Sequence, residues 1–264
     1  MKKSFYCIML LFALNACSNK LDDFDEFFKG FGVPVYTNVC PSFNDAIKYP
    51  ENLVFGPAPT TFISDETIIR SMSTCDLLLN VDKGHPLNSN IGFSINNSLD
   101  PYITTYNAKL CENKVALELF ERDDCFPVLA SMYQTVIKKH IRSKKGINSV
   151  HKEGIEMLLQ SDMCMSVLDK EEKNQIMAMA LAFEKKEKYD DLYMGRTYNL
   201  MVSIMLSCNY PPFVEEVVPR LGETAGGYFL TAPNGNTLRT GIIHYDDIEL
   251  ILKHAKQFLN EKKI

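Results

Sequence analysis

The stretch EMLLQSDMCMSVL, residues 156–168, reads as two short helical pieces hinged at Gln160-Ser161-Asp162, with a cysteine opening the second. A second stretch lines up with it when the cysteines are superposed: LELFERDDCFPVL, residues 117–129. Leu119 then matches Leu158, Phe120 matches Leu159, Asp123 matches Asp162, Val128 matches Val167 and Leu129 matches Leu168. Around Cys75, Ile69 and the pair Leu78-Leu79 fall at equivalent places, and Cys208 in LMVSIMLSCNYPPFV matches more weakly. Apolar residues three and four apart share one face of a helix, so this pattern predicts helices rather than strands.

Helical periodicity extends outward on both sides. A helix is expected from Ser64, a candidate N-cap with acids in its first turn, to about residue 82. Further helices are expected at about 103–122, 124–143, 148–160, 163–168, 170–188, 192–208, 212–221 and 245–262. Asp169 with Glu172 has the spacing of a capping box. In the last helix Ile248, Ile251, Leu252, Ala255 and Leu259 form one apolar face. Between Tyr228–Thr231 and Thr237–Ile243, Asn234-Gly235 is a hairpin turn signal. The expected fold is mainly α: a helical array or α-solenoid-like bundle over 63–264, with a small β-hairpin near 228–243. Cysteine intervals of 50, 39 and 44 residues make it similar in pattern to α-solenoids of the HEAT or armadillo kind, though any helical bundle places Leu and Cys at such spacings.

The N-terminal part differs. Residues 17–62 read as a linker and arm, carrying Pro34, Pro41, Pro50, Pro57 and Pro59 with Phe24, Phe27, Phe28 and Phe31. Proline at that density excludes long helices, and the aromatics predict an arm packed on the chain's own core.

Before it, Lys2 and Lys3 precede an apolar run from Phe5 to Ala16. Twelve helical residues rise about 18 Å, short of a roughly 30 Å hydrocarbon layer. The run therefore has the form of a signal peptide, residues 1–16. Its ending, Leu14-Asn15-Ala16-Cys17, resembles the lipobox of bacterial lipoproteins. The resemblance implies cleavage before Cys17, diacylglycerol on its thiol, and a fatty acid such as palmitate on its new amine. Two or more chains are what stable anchoring needs. Ser18 in place of Asp implies the outer membrane, facing the periplasm or the cell surface. The acids Asp22, Asp23, Asp25 and Glu26 are similar to a surface-export signal, or form a solvated linker.

The precursor carries 28 Lys+Arg against 33 Asp+Glu, a net charge of −5, which becomes −7 once Lys2 and Lys3 leave with the signal. Such a chain is a poor partner for nucleic acid. Six cysteines follow Cys17: Cys40, Cys75, Cys111, Cys125, Cys164 and Cys208. An even number in an exported chain invites disulfides. Stacked helical repeats would instead keep Cys75, Cys125, Cys164 and Cys208 about 8–10 Å apart, as buried thiols that do not bridge one another.

Chemistry-bearing motifs are sparse. The sequence has no H-E-x-x-H, no C-x-x-C, no nucleophile elbow and no phosphate loop. His85, His140, His151, His244 and His254 are scattered; His140 and His151 flank the basic loop IRSKKG (141–146) and read as solvated helix ends. His244-Tyr245-Asp246-Asp247 is the only local His–acid cluster, and Asp246 and Asp247 also suit the first turn of a helix. No catalytic, cofactor-binding or metal-ligating residues are assigned; the one modification site is Cys17. Two roles remain. The first is a non-catalytic module binding an envelope protein through the loop at 84–102 or through the Met-rich helices holding Met157, Met163, Met165, Met177 and Met179. The second is a cell-wall or glycan hydrolase, or a glycan-binding lipoprotein, using His244 and Asp246.

Overall fold

The computed structural model describes most of residues 26–43, then 63–81, 106–107, 109–142, 149–187, 195–216, 228–231, 237–240 and 245–261. Over these residues the chain is mainly helical. No described helix is long and apolar enough to cross a membrane.

The region expected as one helix from Ser64 is two. Helix α1, Glu66–Ser71, starts one residue later than expected, because Asp65 is the cap: its Oδ1 accepts from the N–H of Thr67 at 2.8 Å. Ser73 then caps α2, Thr74–Leu79, its hydroxyl accepting from the Asp76 N–H at 3.1 Å. The helix expected over 103–122 is likewise broken at Asn113. Its Oδ1 accepts from the N–H of Ala116, starting α3, Lys114–Phe120, while its Nδ2 donates to the Val81 carbonyl. Asn113 is fully buried, so both bonds fix how α2 meets α3.

Helices α4, Cys125–Arg142, and α5, Ser149–Gln160, follow. Ser161 caps the short α6, Asp162–Val167. Helix α7, Lys170–Glu187, opens on the expected capping box: the Asp169 N–H donates to Glu172 Oε2 at 2.9 Å, and the Glu172 N–H donates to Asp169 Oδ1 at 2.8 Å. Helix α8, Gly195–Ser207, ends where Asn209 adopts φ 47°; the Tyr210 N–H then reaches the Met205 carbonyl and the Asn209 N–H that of Leu206. That closure satisfies carbonyls the helix end leaves open. Helix α9, Pro211–Glu216, follows directly. Strands β1, Tyr228–Thr231, and β2, Thr237–Thr240, are antiparallel, with Tyr228 opposite Thr240. Their connection, Asn234-Gly235 included, and their side chains lie outside the described residues. Helix α10 spans Tyr245–Asn260.

The core is organised round α8. Every side chain from Thr197 to Leu206 is buried, and α5, α7 and α10 all pack on this helix. A helix buried on all sides belongs at the centre of a bundle. The repeat alignment fails at the same point. Cys125 opens the 18-residue α4, whereas Cys164 sits within the six-residue α6. Val128 is buried, but its counterpart Val167 is 46% exposed. The packing is therefore a bundle about one central helix.

The arm lies along α4 in the opposite direction. Phe28 is buried with Lys138 Nζ 6.0 Å above its ring. Further on, Gln134 Nε2 donates to the Pro34 carbonyl at 2.7 Å, and the Tyr36 N–H donates to Gln134 Oε1 at 2.9 Å. The Tyr36 ring meets Phe126 edge-on, and its hydroxyl donates to Gln175 Oε1 at 2.7 Å. Val33, Cys40 and Phe43 join the core. Finally Cys40 is disulfide-bonded to Cys75 of α2, with Cα atoms 6.0 Å apart. This corrects the expectation of Cys75 as a buried thiol: it bridges a cysteine of the arm, because the arm brings a partner within bonding reach. Cys125 and Cys164 are buried thiols, Cys208 is half-buried and Cys111 exposed.

Candidate functional site

Several residues singled out in the sequence lie outside the described residues: Cys17, His85, the loop 84–102 and His244. The side chains of His140, His151, Asp246 and Asp247 do too, although Asp246 and Asp247 fall in the first turn of α10. The Met-rich surface is corrected. Met157, Met165, Met177 and Met179 are buried and Met163 is half-buried against the core, so these side chains fill the bundle rather than line a groove.

The densest polar chemistry was not read from the sequence. Lys152 and Glu156 sit one turn apart on α5, on the same face as Ile155 and Leu159, and both are 0% exposed. Lys152 Nζ donates to Glu156 Oε2 at 2.8 Å and to Thr197 Oγ1 of α8 at 2.9 Å. Thr197 Oγ1 donates onward to Glu156 Oε1 at 2.8 Å, and the Tyr133 hydroxyl of α4 donates to that same oxygen at 2.9 Å. The Phe183 ring of α7 lies 4.8 Å from the ammonium. Four helices thus meet at one ion pair whose carboxylate is bonded from three sides. Burial, and then the Glu156 charge and hydrogen bond, push the Tyr133 hydroxyl well above its usual range, so it remains a donor. The i,i+4 spacing of Lys152 and Glu156 was the available signal, but on a solvated helix it means a weak surface pair.

A second cluster docks α10. The carboxylate of Glu216, at the end of α9, takes Lys253 Nζ at 3.1 Å and His254 Nε2 at 3.0 Å. His254 is buried edge-on to Phe213. Nearby, the Tyr210 hydroxyl donates to Glu261 Oε1 at 2.8 Å and stacks edge-on with Phe258. Burial, reinforced by Glu261, pushes that hydroxyl up to about 12. The Lys253 hydrogen bond holds Glu216 below the usual carboxylate range. Among the described residues no three His, Cys, Asp or Glu side chains gather to hold a metal ion.

An open cleft of about 180 Å³ lies between α1 and α3, lined by Glu66, Ile69, Arg70, Lys114, Leu117 and Glu118 among others. Lys114 bridges it to Glu66 at 2.9 Å and, acting first through that hydrogen bond, lowers the Glu66 carboxyl. Glu118 pairs with Arg122 at 2.7 Å. Leu117 is 40% exposed and Ile68 on α1 is 50% exposed.

No protein-family model, no curated protein and no solved structure matches this chain.

Proposed function

We propose that this chain is an envelope lipoprotein, cut and acylated at Cys17, whose α-helical bundle, with a small β-hairpin before the last helix, acts as a non-catalytic protein-interaction module. The observation that carries the module reading is the α1–α3 cleft. It is open, mixed in charge, and lined by the exposed apolar side chain of Leu117. An apolar anchor among charged side chains is the composition of a contact surface. The Lys152–Glu156 cluster, by contrast, is spent on joining four helices and presents no face to a substrate. The Cys40–Cys75 disulfide supports export, since such bonds persist in oxidising compartments. The outer membrane is the proposed address, on Ser18.

Crosslinking in intact cells, followed by mass spectrometry of what a C-terminal tag captures, tests the module. A partner captured by the native chain and lost with Leu117→Glu supports it. The same partner retained by that variant removes the cleft from the reading. Palmitate labelling of the native chain and of Cys17→Ala tests the anchor separately.

A further inference from the structure

The two halves of the Cys40–Cys75 bond are unequally covered. Cys40 is 2% exposed and sits between two tight turns: the Val39 N–H donates to the Tyr36 carbonyl, and the Phe43 N–H to that of Cys40. Cys75 is half-buried, and its chain neighbours Ser73 and Asp76 are exposed. A thiol arriving from solvent therefore meets the Cys75 sulfur, and exposed disulfides are the ones that exchange. The chain's own thiols do not compete. The Thr74 hydroxyl donates to Asp124 Oδ1, which brings Cys125 to the same corner, yet burial pushes that thiol up to about 12. It offers no thiolate to attack the bond from inside.

Opening the bond leaves both of its sides seated. On the arm, Phe28, Val33 and Phe43 are buried and Gln134 keeps its two bonds. On α2, Leu77 and Leu78 are buried, and Asn113 holds the Val81 carbonyl. The bond adds a link between the arm and the first turn of α2, which only Met72-Ser73 separates from α1. Helix α1 is the lightly held wall of the cleft. Ile69 is its one buried side chain. It meets α3 through the exposed Lys114–Glu66 pair, and the Arg122 guanidinium reaches the Arg70 carbonyl at 3.0 Å. Exposed ion pairs contribute little, and segments with few buried contacts open first.

We propose that Cys40–Cys75 is a redox-operated clasp on the α1–α3 cleft: a protein dithiol opens it from the Cys75 side while the bundle stays folded, and α1 then loosens. One thiolate of the dithiol attacks Cys75 Sγ, forming a mixed disulfide as the bond to Cys40 breaks, and Cys40 takes up a proton. The second thiol attacks the mixed disulfide and releases Cys75 as a thiol. The clasp gains two electrons and two protons, and the dithiol becomes a disulfide. The proposal rests on the reading of the cleft as a contact surface and adds its regulation: the closed clasp holds that surface in one form.

Reduced thioredoxin is the test dithiol, acting on the folded, lipidated mature chain in detergent micelles. Samples are quenched in acid, and thiols are counted by alkylation and mass spectrometry. Reduction should proceed at a rate proportional to thioredoxin concentration. A thioredoxin whose second cysteine is replaced by serine should be trapped on Cys75. Hydrogen exchange of the reduced chain should be severalfold faster at the α1 amides and unchanged in α8. A rate independent of thioredoxin concentration would mean that the bond opens only when the bundle unfolds, and overturns the proposal. Trapping on Cys40, or α1 exchange that does not change, overturns it as well. Cys40→Ala with Cys75→Ala should reproduce the fast α1 exchange without any reductant. None of these measurements uses a partner, so a failed clasp is told apart from a failed contact surface, which Leu117→Glu tests.

Discussion

The side-chain amide of Gln134 closes on the backbone of Tyr36, a residue 98 positions earlier, accepting its N–H at 2.9 Å while donating to the Pro34 carbonyl. One glutamine thus treats the arm as a neighbouring strand would. Gln134→Ala leaves a partly buried donor and acceptor without partners. The expected cost is about 1–2 kcal/mol, with loss of exchange protection at the Tyr36 amide. Gln134→Glu keeps the acceptor and loses the donor, so its cost should fall between. Hydrogen exchange at Tyr36 unchanged in Gln134→Ala would show that burial of Phe28 and Val33 alone places the arm.

The disulfide closes a loop with a sequence separation of 35 residues. In the chain-entropy account, opening such a loop in the unfolded chain costs about 4 kcal/mol of stability. Cys40→Ser with Cys75→Ser should lower the urea midpoint accordingly, yet leave the helical signal intact. Thiol counting is the direct check. The denatured, lipidated mature chain should titrate four thiols without reductant, those of Cys111, Cys125, Cys164 and Cys208, and two more with it. In the native chain Cys111 should alkylate first. Cys125 is buried and its thiol is pushed up to about 12, and burial raises Cys164 as well, so neither offers a thiolate.

The Lys152–Glu156 pair makes an asymmetric prediction. Removing one partner, as in Lys152→Met or Glu156→Gln, strands the other in a dry core at a cost of about 3–5 kcal/mol. Replacing both, as in Lys152→Met with Glu156→Leu, should recover much of that loss, since no uncompensated charge remains. Thermal unfolding of the three variants checks the sign of the coupling. A double variant as unstable as the summed singles would mean that Thr197 and Tyr133, left without their acceptor, dominate the energetics.

What could be read from the sequence depended on the range of the interaction. The Asp169–Glu172 capping box is local, and both of its bonds form as the spacing predicts. The apolar face of α10 is local too, and Ile251, Leu252 and Ala255 are buried. The break at Asn113 was not legible, because the group that fixes it is the Val81 carbonyl, 32 residues away. The same is true of the Cys40–Cys75 pairing, which spacing alone leaves open among six cysteines. The methionines were open in the sequence: an adaptable side chain suits a groove and a core alike, and burial decides for the core. Lys152 and Glu156 look on paper like an ordinary surface pair. Only the arrival of Thr197, on the buried stretch of α8, makes them a junction of four helices.

Glu184 of α7 gives the pH dependence its direction. It is 7% exposed, and burial raises its carboxyl above the usual range, with Lys256 of α10 pulling it part of the way back. A raised acid takes up its proton more readily in the folded chain than in the unfolded one. Its charge therefore weakens the fold at pH above the raised value. That penalty fades as the pH falls through the raised value toward the ordinary carboxylate range. Glu184→Gln, which cannot ionise, should raise Tm at pH 8 and leave it nearly unchanged at pH 4. Melting curves at the two pH values check this. An equal gain at both would assign the effect to packing rather than charge, and a loss at pH 8 would mean that attraction to Lys256 outweighs the cost of burial.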